Sequence, residues 1–214
     1  PNPFTVSGGE AGRDWVYEEE SQTLRILTGQ VSSVSGGLGT DANQAPFSGR
    51  LVLADGLGAV ELTLDGVECR VSEGGAFVLG RGNEVTLLLR SVTRNLFESG
   101  EGWAGISLGP DTTLSIDCPD ARASTRNPAG TLTASGGAGG AGIGRDSGMG
   151  REQTGHIVIL GGSVTAVGTA GGAGIGAGKR SAMGPVDNRG GAVSATGQSG
   201  GGAGKGGALG ASVV

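Results

Sequence analysis

Apolar and polar residues alternate with a period of two along most of the chain. In "GAVELTLDGVECRVS" (Gly58–Ser72), Val60, Leu62 and Leu64 are separated by polar residues. Asp65 and Gly66 break the run, and Val67, Cys69 and Val71 resume it. Alternation of this kind gives a strand one inward and one outward face. "NEVTLLLRSVT" (Asn83–Thr93) and "DTTLSID" (Asp111–Asp117) follow the same grammar and predict equivalent strands in later turns. A helical 3.6-residue period is nowhere long enough to matter, so the pattern predicts an all-β chain.

The alternation also repeats at a longer distance. "GTLTASGGAGGAGIG" (Gly130–Gly144), "GSVTAVGTAGGAGIG" (Gly162–Gly176) and "GAVSATGQSGGGAGKG" (Gly191–Gly206) align, with Ala141, Ala173 and Ala203 separated by 32 and 30 residues. Ala104 in "GWAGISLG" (Gly102–Gly109) lies 37 residues before Ala141 and marks a less glycine-rich copy. Such periods indicate stacked repeats. Each aligned unit holds an inward pair (Leu132 and Ala134, Val164 and Ala166, Val193 and Ala195) around an outward hydroxyl (Thr133, Thr165, Ser194). The architecture this predicts is a right-handed parallel β-helix, with "GGAGIG" as its corner and short strand and Ile143 or Ile175 pointing inward. Residues 50–214 form the coils. Residues 1–49 form an N-terminal segment whose hairpin, "DWVY" (Asp14–Tyr17) with "TLRIL" (Thr23–Leu27), caps the solenoid together with Phe4. The final "ASVV" is apolar and without an evident cap, which predicts further repeats or an end-to-end contact at that edge.

Composition sharpens this picture. Glycine supplies 48 of 214 residues, about three times its ordinary share, yet without the three-residue period of collagen. All seven aromatics fall at or before Trp103, leaving the C-terminal half a core of Ala, Val, Ile and Leu. A net charge of −5 with no basic block argues against nucleic acid and anionic lipid as partners. No run of eighteen apolar residues predicts a membrane span. Cys69 and Cys118 are 49 residues apart, nearly two turns, and read as separate buried thiols.

On these residues the chain resembles the glycine-rich β-helix repeats of secreted and surface-attached bacterial proteins, often described as carbohydrate-binding. The likeness rests on "FTVSGGEAGRDWVYEEESQTLRILTG" (Phe4–Gly29), "ELTLDGVECRVSEGGAFVLGRGNEVTLLL" (Glu61–Leu89) and the "GGAGIG" copies. It departs where Lys205 replaces isoleucine and in the insertion "RDSGMGREQTGH" (Arg145–His156). The resemblance implies an extracellular or cell-surface location, a polysaccharide or host-surface glycan as partner, and no shared catalytic signature.

Several motif matches fail on chemistry. "GAGKR" (Gly176–Arg180) puts Arg180 where a phosphate loop needs a hydroxyl. "GGLGTDANQ" (Gly36–Gln44) follows the calcium-binding nonapeptide to Asp41, but Asn43 takes the apolar position and no second copy stacks on it. His156, the single histidine, reads as a strand-opening residue rather than a relay base. Carboxylate pairs such as Asp111 with Asp117 or Glu73 with Glu84 would need a separation of about 5–9 Å for glycoside chemistry.

The leading expectation is a non-enzymatic surface module, an adhesin or carbohydrate-binding repeat without cofactor or metal. Its candidate ligand-binding residues are Trp103, Thr133, Thr165 and Ser194. A structural spacer of a larger surface or phage-tail protein is the alternative, and a polysaccharide-cleaving β-helix enzyme ranks below both. Ice or crystal-surface recognition would need a regular Thr-x-Thr ladder, but "TLT" decays to "SVT" and "AVS" in the next copies.

Overall fold

Each turn of the chain lays down three short strands separated by corners, and each strand pairs in parallel with its counterpart one turn away. In the computed structural model this gives a nearly all-β parallel solenoid of about six turns. The structure describes residues 1–123, 126–152 and 154–198. The third glycine copy from Gly201, Lys205 and the terminal "ASVV" therefore lie outside the described residues.

Face I stacks Thr23–Ile26, Arg50–Leu53, Phe77–Leu79, Ile106–Leu108, Ile143–Gly144 and Ile175–Gly176, all parallel. Face II stacks the first half of Ala59–Arg70 with Glu84–Leu89, Thr113–Asp117, His156–Ile159 and Val186–Asn188. Face III stacks the second half of Ala59–Arg70 with Arg94–Glu98, Thr131–Ala138, Ser163–Thr169 and Ala192–Gly197. The strand Ala59–Arg70 serves two faces because Gly66, at φ +80°, turns it through a corner that a side chain would oppose. Val60, Leu62 and Leu64 before that corner, and Val67 and Cys69 after it, are all buried.

The predicted hairpin forms: Trp15–Glu18 runs antiparallel to Thr23–Ile26, with Trp15 opposite Ile26. Its second strand is also the first parallel rung of face I. Phe4–Ser7 pairs antiparallel with Ser33–Gly36, and the Phe4 ring lies 6.4 Å from that of Tyr17.

Apolar columns fill the interior. On face III, Cys69, Phe97, Ala134, Ala166 and Ala195 stack in register, so the column narrows from Phe to Ala. On face I the column is Leu51, Phe77, Ile106, Ile143 and Ile175. Phe77 and Phe97 meet across the interior with ring centroids 5.0 Å apart. Cys69 and Cys118 are both buried and free. Burial pushes the Cys69 thiol far up, so it behaves as a small apolar side chain.

Two asparagines point inward where the alternation gives no sign of a buried polar residue. Asn83 Oδ1 accepts from the Leu57 N–H at 2.6 Å, while its Nδ2 donates to the carbonyls of Ala54 (2.8 Å) and Gly80 (3.2 Å). Asn95 Oδ1 accepts from the Gly66 and Val67 N–H groups at 3.0 and 2.9 Å, and its Nδ2 donates to the Thr131 carbonyl at 3.2 Å. Each side chain ties the corners of neighbouring turns together, satisfying backbone groups that a corner leaves without a ladder partner.

In the lower turns the corners are glycine because backbone lies directly on backbone. A Cβ on Gly140 would overlap the carbonyl oxygen of Trp103, and one on Gly172 would overlap that of Gly140. The Ile143 and Ile175 side chains between these corners are fully buried, as the alignment predicts.

Candidate functional site

The outward side of face III is a parallel sheet whose surface changes character along the axis. At its upper end Arg70 bridges Glu68 (2.7 Å) and Glu98 (2.8 Å), an exposed charge network. Below it the outward columns turn to hydroxyls. Leu96, Thr133, Thr165 and Ser194 occupy successive rungs of one column. Thr131 and Ser163 flank them on one side, and Ser135, Val167 and Thr196 on the other. Strand pairing places the rungs about 4.8 Å apart. Among the described residues, the hydroxyls of Thr133, Thr165 and Ser194 make no hydrogen bond to protein, so all three are left to solvent or a ligand. The Thr-x-Thr element stays confined to one rung, since Thr131 is followed by Ser163 and Ala192.

The structure brings together three of the four candidate residues and separates the fourth. Trp103 sits beyond Gly102 (φ +80°), where the chain leaves face III for face I. Its ring lies over Gly75 beside Val78, and 37 % of the residue is exposed. It flanks a cleft of about 280 Å³ outside face I, shared with Arg81, Pro110, Arg145, Asp146 and Met149. A period of two identifies a rung but not which side of the coil an adjacent corner residue faces.

Arg145, Asp146 and Met149, from the start of the insertion, line that cleft. The insertion's backbone is stacked on the next turn: Gly148 N–H donates to the Lys179 carbonyl at 2.7 Å, and Met149 N–H to Ser181 Oγ at 2.9 Å. Asp146 Oδ1 accepts from the Ala104 N–H at 2.7 Å and Oδ2 from the Ser107 hydroxyl at 2.9 Å, pinning the segment beneath Trp103. Burial raises the Asp146 carboxyl above its ordinary range, against the pull of those two donors and of Arg145. Arg145 is only 5 % exposed, and desolvation moves its guanidinium downward. No alternation marks this segment, and its short polar residues read simply as an interruption.

The other chemistry considered above is dispersed. His156 opens the strand His156–Ile159 and has its Nε2 3.2 Å from Asp187 Oδ2. Asp111 and Asp117 flank opposite ends of the strand Thr113–Asp117, where Asp111 accepts from Thr154 and Asp117 pairs with Arg122. Glu73 precedes face I and Glu84 opens a face II strand. Asp41 caps the turn of the two-stranded hairpin Leu38–Thr40 with Pro46–Ser48, its Oδ1 accepting from Asn43 N–H (2.8 Å) and Ala45 N–H (2.9 Å). Among the described residues no group of three or more His, Cys, Asp or Glu could hold a metal ion. No described helix is long and apolar enough to cross a membrane.

Fold and surface together define the chain as a parallel β-solenoid. No protein-family model, no characterised protein and no solved structure matches it.

Proposed function

We propose that this chain is a non-enzymatic extracellular module that presents a hydroxyl-bearing sheet to an extended polysaccharide, as a surface adhesin or carbohydrate-binding repeat. The supporting observation is the column Thr133, Thr165 and Ser194, held in register on face III with its hydroxyls unengaged by protein. An extended polymer needs repeated contacts at a fixed spacing, and hydroxyls on parallel rungs supply donors and acceptors in that form. The resemblance to glycine-rich surface β-helices supports the same reading and the cell-surface location.

The test is a pull-down on insoluble polysaccharides, with Thr133→Glu/Thr165→Glu as the comparison. These side chains face outward, so the double variant keeps the far-UV circular dichroism of the parent. The reading expects retention on at least one polysaccharide and at least tenfold weaker retention by the variant. No retention by the parent above background would discard glycan binding. A second reading, a structural spacer, draws on the unbroken parallel register of face I from Thr23 to Gly176 and would then stand.

A further inference from the structure

The buried Arg145 calls for a partner that the described residues do not provide. Its Nη1 donates to the Leu108 carbonyl at 3.3 Å, but its Nε is shut off from water and has no hydrogen-bond partner. Among the described residues no carboxylate forms an ion pair with it, and Asp146, Glu152 and Asp111 act on it only from farther off. Asp146, its chain neighbour, has committed both oxygens to neutral donors. A guanidinium withdrawn from water without a hydrogen-bonded counter-ion is costly, and arginine does not shed its proton to escape that cost. This charge, opposed only from a distance by Asp146, Glu152 and Asp111, lies in the cleft beside the half-exposed indole of Trp103, with Arg81 and Asp55 also in the lining and Met149, 50 % exposed, an apolar wall.

We propose that the face I cleft binds one anionic sugar unit, a pyranose carrying a carboxylate or sulfate, with its ring against Trp103 and its acidic group beside Arg145. A volume of about 280 Å³ lies at the small end of ligand sites and suits a single ring rather than a chain of them. The planar indole offers a face for the apolar C–H side of a pyranose. With Nε closed off and Nη1 engaged at Leu108, the guanidinium's Nη2 is the donor left for a carboxylate or sulfate. Asp55, whose Oδ1 accepts the Arg81 N–H at 2.8 Å, and Asp146 also line the cleft, so a free anion gains little from its overall charge and the ring contact with Trp103 must contribute to binding. This site lies on another face from the hydroxyl column and does not depend on it.

Intrinsic fluorescence reads the site directly once Trp15, which is on the N-terminal hairpin, is replaced. The Trp15→Phe protein is titrated with trigalacturonate, a sulfated galactose disaccharide, neutral galactotriose, and acetate or inorganic sulfate. The expected result is a saturable change in Trp103 emission with at least one acidic sugar and at least tenfold weaker binding of the neutral trimer. Free acetate and sulfate should also bind at least tenfold more weakly. Arg145→Gln should weaken the acidic sugar at least tenfold. Because Arg145 is buried, Arg145→Lys, which keeps the charge, provides the folded comparison and should bind with intermediate affinity. Trp103→Ala, followed by calorimetry, should abolish the preference for sugar over free anion. Equal binding of neutral and acidic trimers would overturn the proposal, as would free anions binding as tightly as the sugars or no response to any acidic sugar by a folded protein. Soluble trimers probe this cleft and insoluble polymers probe face III, so failure of one proposal is distinguishable from failure of the other.

Discussion

The upper turns, through Asp117, and the lower turns, from Gly130, share one winding yet are held together differently. In the upper turns large side chains fill the coil: Phe77, Phe97 and several leucines are fully buried, and Asn83 and Asn95 stitch the corners. Below, the face III column contracts to Ala134, Ala166 and Ala195, and the face I strands shrink to two residues each. A thinner core leaves less apolar surface to bury. Glycine corners bring backbone against backbone in both halves, but more closely below: a Cβ would lie 2.6 Å from backbone at Gly80 and 2.7 Å at Gly109, against 2.1 Å at Gly140 and 1.9 Å at Gly172. The difference teaches that glycine content here follows coil thickness: fewer side-chain atoms inside demand fewer at the corners.

Emptying the upper core gives the largest expected effect. Phe97→Ala removes a ring that packs on Phe77 and leaves a cavity between turns that cannot slide together, at a cost of about 4 kcal/mol. Urea unfolding measures it. A loss below about 1 kcal/mol would mean that upper and lower turns tolerate small side chains alike, and the contrast would fail.

A smaller effect sharpens the contrast from the other side. Gly172→Ala places a methyl group on the Gly140 carbonyl and should cost about 3 kcal/mol, because the turns must part to admit it. Gly82, in the upper turns at φ +71°, has nothing within 4 Å of a built Cβ. Gly82→Ala should therefore cost about 1 kcal/mol, the left-handed backbone penalty alone. Equal losses from the two substitutions would show that stacking is not what Gly172 serves.

Much of this fold was legible in the sequence, because a period of two states which side chains point inward. The alignment of Leu132 with Val164 and Val193, and of Ile143 with Ile175, reappears residue for residue in the strand pairing. The hydroxyl column followed from the same alignment. Residues that break alternation were not legible. Asn83, Asn95 and Arg145 look like surface residues in a linear pattern, and their burial depends on corners whose direction the period does not encode. Trp103 shows the same limit: its rung was visible, but the turn at Gly102 that carries it off face III was not. The insertion Arg145–His156 gains its order from the segment Gly178–Met183 one turn away, a contact without a repeating signature.

Native-state hydrogen exchange at the lower corners tests the central claim most directly. The Gly142 and Ile143 amides donate to the carbonyls of Ala173 and Gly174, one turn away, at 3.0 and 2.9 Å. If stacked backbone holds the lower turns, both amides exchange only through a large cooperative opening, with protection factors above about 10³. Exchange of either amide at the rate of an unstructured peptide, while the upper turns remain protected, would contradict the account.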